Sequence, residues 1–289
     1  MKKEHKEKKT ALVLEGGAMR GIYTAGVLDI FLKNNIHVDA VIGVSAGSIH
    51  GCSYVSEQYE RSIDYYKKCR NDYRFMSFKS WFKSGNICDT DYCYDEVPNK
   101  IYPFDHDTFE KSKTKFYVTV TNVETGEPEY IYLKSLRGNN IDYLRASASM
   151  PVVSKIVEIN GKKYLDGGMS DSIPLKYFQS IGYDKCIVVK TKDKSYVKTK
   201  EKILPIAKRM YKKYPDFIKR LRERHIDYNE QIKYVREEEK KGNIIVIEPS
   251  KKLKITKLDK KMENIIEAYE QGRIDAGNHL KEIKRFLRK

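Results

Sequence analysis

Short apolar runs that stop at glycine clusters, each followed by a helically spaced stretch, organise the first fifty residues. Thr10–Leu14 is such a run and ends at Glu15-Gly-Gly-Ala-Met-Arg-Gly21. Ile22 to Asn35 then carries Ile22, Ala25, Val27, Leu28, Phe31 and Leu32 at the spacing of one helix face. Val38 to Val44 is a second apolar run, closed by Gly43-Val-Ser-Ala-Gly47, and residues 46–56 continue as a helix lined with small side chains. Strand, glycine turn and helix occur twice in succession, which predicts an α/β fold around a parallel sheet.

The pattern then loosens. Residues 59–70 read as a helix, and 72–104 form an irregular aromatic-rich insertion, expected as a flap or helical cover. Its aromatic side chains suit an acyl pocket, a lipid interface or an ordinary packed layer. Strands Lys115–Asn122 and Glu129–Leu133 flank a Glu124-Thr-Gly-Glu127 turn, and a helix near 139–149 precedes Pro151. Asn160-Gly161 signals a second hairpin between Val152–Ile159 and Lys162–Leu165, ending in Asp166-Gly-Gly168. Ser172 is expected to cap a helix that holds Pro174 in its first turn, and Lys185–Val189 to be a strand. Beyond about 199 long charged helices are expected, interrupted by a last strand at Asn243–Glu248. Residues 257–289 form a terminal amphipathic helix with a break near Gly272 or Gly277. No internal repeat or low-complexity linker is evident.

Composition narrows the class. With 289 residues, 40% of them hydrophobic, the chain suits a soluble globular protein rather than a disordered, collagen-like or disulfide-scaffold one. At roughly 150 residues per domain there is room for one large domain with an appendage, or for two smaller ones. No run approaches the ~20 apolar residues of a spanning helix, and Ala11–Leu14 is too short for a secretory core, so a cytoplasmic location is expected. The five cysteines are odd in number and none forms a CxxC pair. Cys88 and Cys93 are two isolated thiols or, less simply, part of a metal site; no metal or cofactor is expected.

The formal charge of +16 is unevenly placed. Residues 1–9 hold five basic and two acidic residues and 192–289 hold 29 and 16, leaving 22 of each in 10–191. This separates a basic tail (1–9), a neutral core (10–191) and a basic, mainly helical C-terminal region (192–289) that contributes the possible strand at 243–248. Lys208, Arg209, Lys212, Lys213, Lys219, Arg220, Arg222 and Arg224 crowd 17 positions. Such a cluster suits an anionic membrane surface, nucleic acid or a solvated helix face.

The chemistry lies in the glycine turns. Gly43-Val-Ser-Ala-Gly47 fits G-x-S-x-G and stands between a buried strand and a helix, where flanking glycines let a sharp turn present the Ser45 hydroxyl. A nucleophilic serine also needs a base and an oxyanion site. Gly16-Gly17-Ala18, ahead of a helix, offers converging N–H groups. A phosphate-cradling loop is the rival reading, but G-x-G-x-x-G is not met and the Lys-Ser/Thr of a P-loop is absent. None of the six histidines, His5, His37, His50, His106, His225 and His279, sits at a glycine-punctuated strand end. Asp166, followed by Gly167 and Gly168, does, and a partly desolvated aspartate there can accept the Ser45 proton directly.

These motifs resemble the patatin-like phospholipases, serine lipid acyl hydrolases with a Ser–Asp dyad. The resemblance spans residues 10 to about 190: the loop at 15–21, the elbow at 43–47, Ala146-Ser-Ala-Ser-Met-Pro151 and the Asp-Gly-Gly at 166–168, in the family's order. It implies a mostly parallel sheet sandwiched by helices, followed here by a helical C-terminal extension. It further implies Ser45 as nucleophile, Asp166 as base, and the N–H groups of Gly16, Gly17 and Ala18 as oxyanion donors. Arg20 matches the loop's basic residue, with Gly21, Gly43, Gly47, Gly167 and Gly168 as supporting positions. Ala18 departs from the family's usual glycine. The expected substrate is a lipid or other acyl ester, with peripheral contact to an anionic membrane surface. A Ser–His–Asp esterase using His225 or His279 is one rival; a non-catalytic module binding an anionic surface or nucleic acid is another, although no recognised nucleic-acid motif accompanies the charge.

Overall fold

A computed structural model describes residues 8–288, so nearly all of the basic tail, including His5, lies outside the described residues. The strands are β1 (Thr10–Leu14), β2 (Ala40–Val44), β3 (Lys115–Asn122), β4 (Pro128–Tyr132), β5 (Val157–Ile159), β6 (Lys162–Asp166), β7 (Lys185–Val189) and β8 (Ile244–Ile247). The helices are α1 (Ile22–Lys33), α2 (Ala46–Val55), α3 (Arg61–Cys69), α4 (Phe78–Ser84), α5 (His106–Lys111), α6 (Ile141–Ser147), α7 (Leu175–Ser180), α8 (Leu204–Met210), α9 (Pro215–Lys240) and α10 (Met262–Arg288).

The sheet is mixed but its centre is parallel: β3, β2, β1, β7 and β8 are successive parallel neighbours, and β4, β6 and β5 add antiparallel pairs at one side. Both faces are covered, which is why the central strands read as unbroken apolar runs. Along β1, Leu12 and Leu14 enter one core and Ala11 and Val13 the other; on β8, Ile245 and Ile247 alternate in the same way with Ile244 and Val246. Val27 of α1, Cys52 of α2 and Ala276 of α10 close the first core, and Phe178 of α7 and Tyr228 of α9 the second. The fold is therefore an α/β sandwich in which the C-terminal part supplies an edge strand and one helix to each face.

One feature of register sets up the site. β4 occupies one edge of β3, so β2 and β6 share the other edge end to end. Thr119 lies opposite Val44 and the next residue, Val120, opposite Asp166. The end of β2 and the end of β6 are thereby brought together.

Several local expectations are corrected. Val152 is not in a strand: residues 151–154 turn, with Val152 at φ +75°, and β5 starts only at Val157. Ser172 caps nothing, since its hydroxyl donates to the Gly168 carbonyl at 3.0 Å and α7 starts at Leu175 after Pro174. The 72–104 insertion is a helical cover, built from α4 and a π-helical coil at Tyr92–Ile101. The terminal helix begins at Met262, not 257, and runs unbroken through Gly272 and Gly277.

Gly272 has a different use. A Cβ there would lie 2.1 Å from the Tyr23 carbonyl oxygen, and a Cβ at Gly26 would lie 2.1 Å from that of Tyr269, so α1 and α10 touch backbone to backbone. The contact is reciprocal: Tyr23 donates to Asp275 at 3.0 Å and Tyr269 to Asp29 at 2.7 Å. Tyr23, Gly26 and Asp29 have the same spacing as Tyr269, Gly272 and Asp275, and the pairing makes the two helices antiparallel. Each helix-interior glycine costs roughly 0.5–1 kcal/mol, which the close packing and the buried hydrogen bonds offset. Among the described residues no helix is long and apolar enough to cross a membrane.

Candidate active site

Ser45 stands between β2 and α2 with φ +55° and ψ −123°, a conformation that costs a non-glycine residue about 1–3 kcal/mol. Its neighbours show why the turn needs glycine. A Cβ on Gly43 would sit 2.4 Å from the Ser48 nitrogen, and one on Gly47 2.4 Å from the Leu14 carbonyl oxygen. The elbow is also tied from outside, because the Ser45 N–H donates to Ser147 Oγ at 2.9 Å and Ser147 Oγ lies 3.1 Å from Ser48 Oγ.

Asp166 is 3% exposed, lines the same cavity as Ser45 and accepts the Gly168 N–H at 2.8 Å. Its own N–H donates to the Ser149 carbonyl at 2.9 Å. The 146–151 segment thus clamps both residues, Ser147 holding the elbow and Ser149 the aspartate strand. Burial pushes the Asp166 carboxyl above the ordinary aspartate range, against the Ser45 hydroxyl, the Arg224 charge, the Gly168 N–H and the Lys257 charge, which all favour the ionised form. Gly167 packs so tightly under the sheet that a Cβ would come within 2.2 Å of the Thr119 carbonyl oxygen.

The loop at 15–21 runs beside the elbow, with the ideal Cβ position of Gly16 only 3.0 Å from Ser45 Cβ. Gly17 is extended and backs onto Thr191, whereas Ala18 is left-handed at φ +50°. The departure from glycine therefore falls on a position where an L-residue is strained by roughly 1–2 kcal/mol. Gly21 gives room to Ala46 and His50, and Arg20 is half-buried, lowered from its usual pKa mainly by burial.

Glu15 anchors this loop, a role that sequence reading missed. Its buried carboxylate accepts the Thr191 N–H at 2.6 Å and the Tyr228 hydroxyl at 2.7 Å, and Thr191 Oγ1 donates to the Gly16 carbonyl at 2.8 Å. Arg224 was expected only as part of a basic cluster; it donates to the Gly168 carbonyl and to Glu201. Arg220 of the same cluster pairs with Glu127 and Asp227. No local signal marks Glu15 or Arg224, since their partners lie far along the chain.

Two cavities meet at Ala18, Ser45 and Met150 and share no other lining residue. One, about 130 Å³, is mostly apolar and is lined by the insertion (Phe75, Tyr94, Val97) together with Ile49, Leu144 and Ala148. The other, about 110 Å³, holds Glu15, Asp166 and a group of cations. Among the described residues no histidine lines the cavity that holds Ser45 and Asp166. His50 is buried against Ser62 and pulled down to about 3 by burial; His279 sits 3.0 Å from Glu282; neither His225 nor His279 lines either cavity. His106 lines the far part of the apolar cavity beside Phe104. Cys88 and Cys93 are free thiols in the same wall, and among the described residues no three His, Cys, Asp or Glu side chains are grouped to hold a metal.

Ser45 at a strand–helix elbow, the glycine loop beside it and the buried Asp166 at the end of β6 thus come together on an α/β sandwich, with an apolar cavity adjoining. Residues 12–178, more than half of the chain, match the model of the patatin-like phospholipases, and the protein belongs to that family. Residues 214–288 match a domain of unknown function, DUF6363. The chain is 31% identical to uncharacterized protein YjjU of Escherichia coli over 63% of its own length and 51% of that protein's. It is 26% identical to lysophospholipase nte1 of Aspergillus oryzae over 62% of its length and 11% of that protein's, so it spans about half or less of these relatives. The crystal structure of VipD from Legionella pneumophila aligns with a TM-score of 0.48 at 13% identity, covering 96% of this chain and 67% of that one.

Proposed function

We propose that the protein is a serine lipid acyl hydrolase in which Ser45 is the nucleophile and Asp166 the general base. The observation that carries this reading is the strained Ser45 elbow set beside the buried Asp166 carboxylate in one cavity, at the mouth of an apolar one. As Ser45 Oγ attacks the ester carbonyl carbon, Asp166 takes its proton, and the amides of Gly16, Gly17 and Ala18 stabilise the tetrahedral oxyanion. Collapse breaks the bond to the leaving alkoxide, which receives the proton from Asp166, and leaves the acyl group on Ser45. Water, deprotonated by Asp166, attacks the acyl-serine; the fatty acid departs and Ser45 regains its proton.

Burial suits Asp166 to this cycle, because a carboxylate raised from its ordinary pKa is a stronger base while Arg224 and the Gly168 N–H keep it from staying protonated. The reading also assigns residues 192–289 a part in the site rather than a separate activity, through Tyr228 on Glu15 and Arg224 on Gly168. Lipid relatives named lysophospholipase support an ester of that class. The test is turnover of p-nitrophenyl esters of graded chain length by wild type, Ser45→Ala and Asp166→Asn. Each variant is expected to lose roughly 10⁴-fold or more in kcat. Undiminished hydrolysis by folded Ser45→Ala sinks the proposal, and loss of activity in His225→Ala or His279→Ala with activity retained in Asp166→Asn favours the histidine-based esterase.

A further inference from the structure

The polar cavity beside Ser45 is unusually basic for a space next to a catalytic carboxylate. Arg20, Lys192, Lys198, Arg224 and Lys257 line it. Its carboxylates are already engaged: Glu15 by Thr191 and Tyr228, and Asp166 by the Gly168 N–H. Behind the wall Glu201 pairs with Lys198 at 3.0 Å and with Arg224. Among the described residues Arg20, Lys192 and Lys257 have no ion-pair partner, and Arg20 Nε is buried without a hydrogen-bond acceptor. The Lys192 ammonium rests over the Tyr196 ring, 4.3 Å from its centre.

Such a surplus of half-dry cations is unfavourable as it stands. Burial pulls Lys192 and Lys198 down to about 8 and lowers Lys257, and in each case neighbouring cations push the same way. An anion entering the cavity relieves both the repulsion and the missing hydrogen bonds. The cavity adjoins Ser45 on the polar side, while the apolar cavity takes the other, so an ester with its acyl chain in the apolar space directs its alcohol portion among these cations. Phosphate, with several acceptor oxygens and charge of at least −1, is the group on a lipid alcohol that matches them.

We propose that this cavity is a phosphate subsite for the leaving alcohol, that the substrate is an anionic glycerophospholipid or lysophospholipid, and that Lys192, Lys198 and Lys257 set this preference from outside the stretch that matches the patatin-like family. The proposal rests on the acyl-hydrolase reading and narrows it to a substrate class. Lys192 and Lys198 belong to the segment that follows β7, and Lys257 to the segment that precedes α10. The C-terminal region thereby supplies headgroup selection.

The experiment has two arms. In the first, kcat/KM is measured on detergent micelles of 1-oleoyl lysophosphatidylglycerol, 1-oleoyl lysophosphatidylcholine and monooleoylglycerol. Wild type is expected to favour the anionic lipid over the neutral one by roughly tenfold or more, and Lys192→Met/Lys257→Met to lose most of that ratio. Lys192→Arg/Lys257→Arg keeps the charges and is expected to restore the ratio to within a few-fold, which separates lost recognition from lost folding. In the second arm, Ser45→Ala protein is titrated calorimetrically with sn-glycerol 3-phosphate, inorganic phosphate and glycerol. Binding of glycerol phosphate that disappears in the Met pair supports the subsite. Ester hydrolysis with no headgroup preference overturns the subsite and leaves the hydrolase reading standing. Phosphate binding that never alters lipid kinetics overturns it in favour of a free-anion site. Binding without hydrolysis of any ester overturns the headgroup assignment together with the reading on which it rests.

Discussion

Glycine brings backbones into contact at two places in this molecule, and the two contacts do opposite things. At the elbow, Gly43 and Gly47 clear space so that Ser45 can be held strained, in the same cavity as the buried Asp166. At the α1–α10 crossing, Gly26 and Gly272 clear space so that two unstrained helices can lie against each other, each tyrosine hydroxyl donating to the other's aspartate. The first contact holds strain at the proposed nucleophile and the second repays glycine's helix cost through packing. Since α10 lies in the C-terminal region, the crossing also fixes that region to α1, the helix that follows the glycine loop at 15–21.

The sharpest way to separate the two is to add one methyl group at each. In Gly47→Ala the new Cβ meets the Leu14 carbonyl oxygen at 2.4 Å, so the elbow must shift. A displacement near 1 Å at the reacting atoms costs about 10²-fold, and kcat/KM on p-nitrophenyl esters is expected to fall at least that far. In Gly272→Ala the clash at 2.1 Å forces the helices apart instead. The expected cost is about 1–3 kcal/mol of stability, or roughly 2–10 °C in Tm, with kcat/KM of the folded protein little changed. If Gly272→Ala abolishes turnover at unaltered Tm, the crossing belongs to the site and the contrast fails.

The two contacts also differ in how they could be found. Strand, turn and helix at 10–35 and 38–56 were legible because the apolar period and the glycines sit within a few residues of each other, and the same locality made Ser45 and Asp166 candidates. The crossing was not: Gly272 alone reads as a helix break, and only its partner 246 positions earlier, Gly26 with Tyr23 and Asp29 at matching offsets, explains it. Ser172 failed as a cap for a related reason, its hydroxyl being taken by Gly168. Glu15, Tyr228 and Arg224 carry no motif at all. Their meaning comes from a sheet that sets β1 beside β7 and from α9 crossing that sheet's face, so tertiary pairing rather than local pattern decides what they do.

The tyrosine–aspartate pairs allow a finer cut at the crossing. Burial pushes Asp29 from an ordinary 3.8 up to about 6, although the Tyr269 hydroxyl, the Glu60 N–H and the Arg273 charge all favour its ionised form, and the Glu60 charge opposes it. A carboxyl with a folded pKa above its unfolded one binds its proton more tightly when folded. Its stabilising contribution is therefore complete below about pH 4 and is lost as pH rises through 6. Tyr269→Phe removes a hydrogen bond to the carboxylate and raises the folded pKa further. The variant is expected to lose about 1–2 kcal/mol at pH 7.5 and clearly less at pH 4.5, read as the difference in Tm from wild type. Asp171, also near 6, and His50, near 3, titrate alike in both proteins and cancel in that difference. A pH-independent difference means that Asp29 does not feel the Tyr269 hydroxyl.

The smallest expected effect lies back at the site. Ala18 takes φ +50° between Gly17 and Met19, a conformation glycine adopts freely and alanine does not. At the elbow strain is borne by a residue whose hydroxyl is needed, whereas at Ala18 the backbone N–H is what the proposed mechanism uses, and glycine supplies the same group. Relief of the left-handed penalty is partly offset by the greater freedom glycine gives the unfolded chain. Ala18→Gly is therefore expected to raise stability by about 1 kcal/mol or less, a Tm gain of up to about 4 °C. The Ala18 methyl also lines the junction of the two cavities, so its removal widens the passage between acyl and polar spaces. A fall in Tm shows that the methyl's packing there outweighs the backbone strain, and places Ala18 with the packing glycines' partners rather than with the strained residues of the elbow.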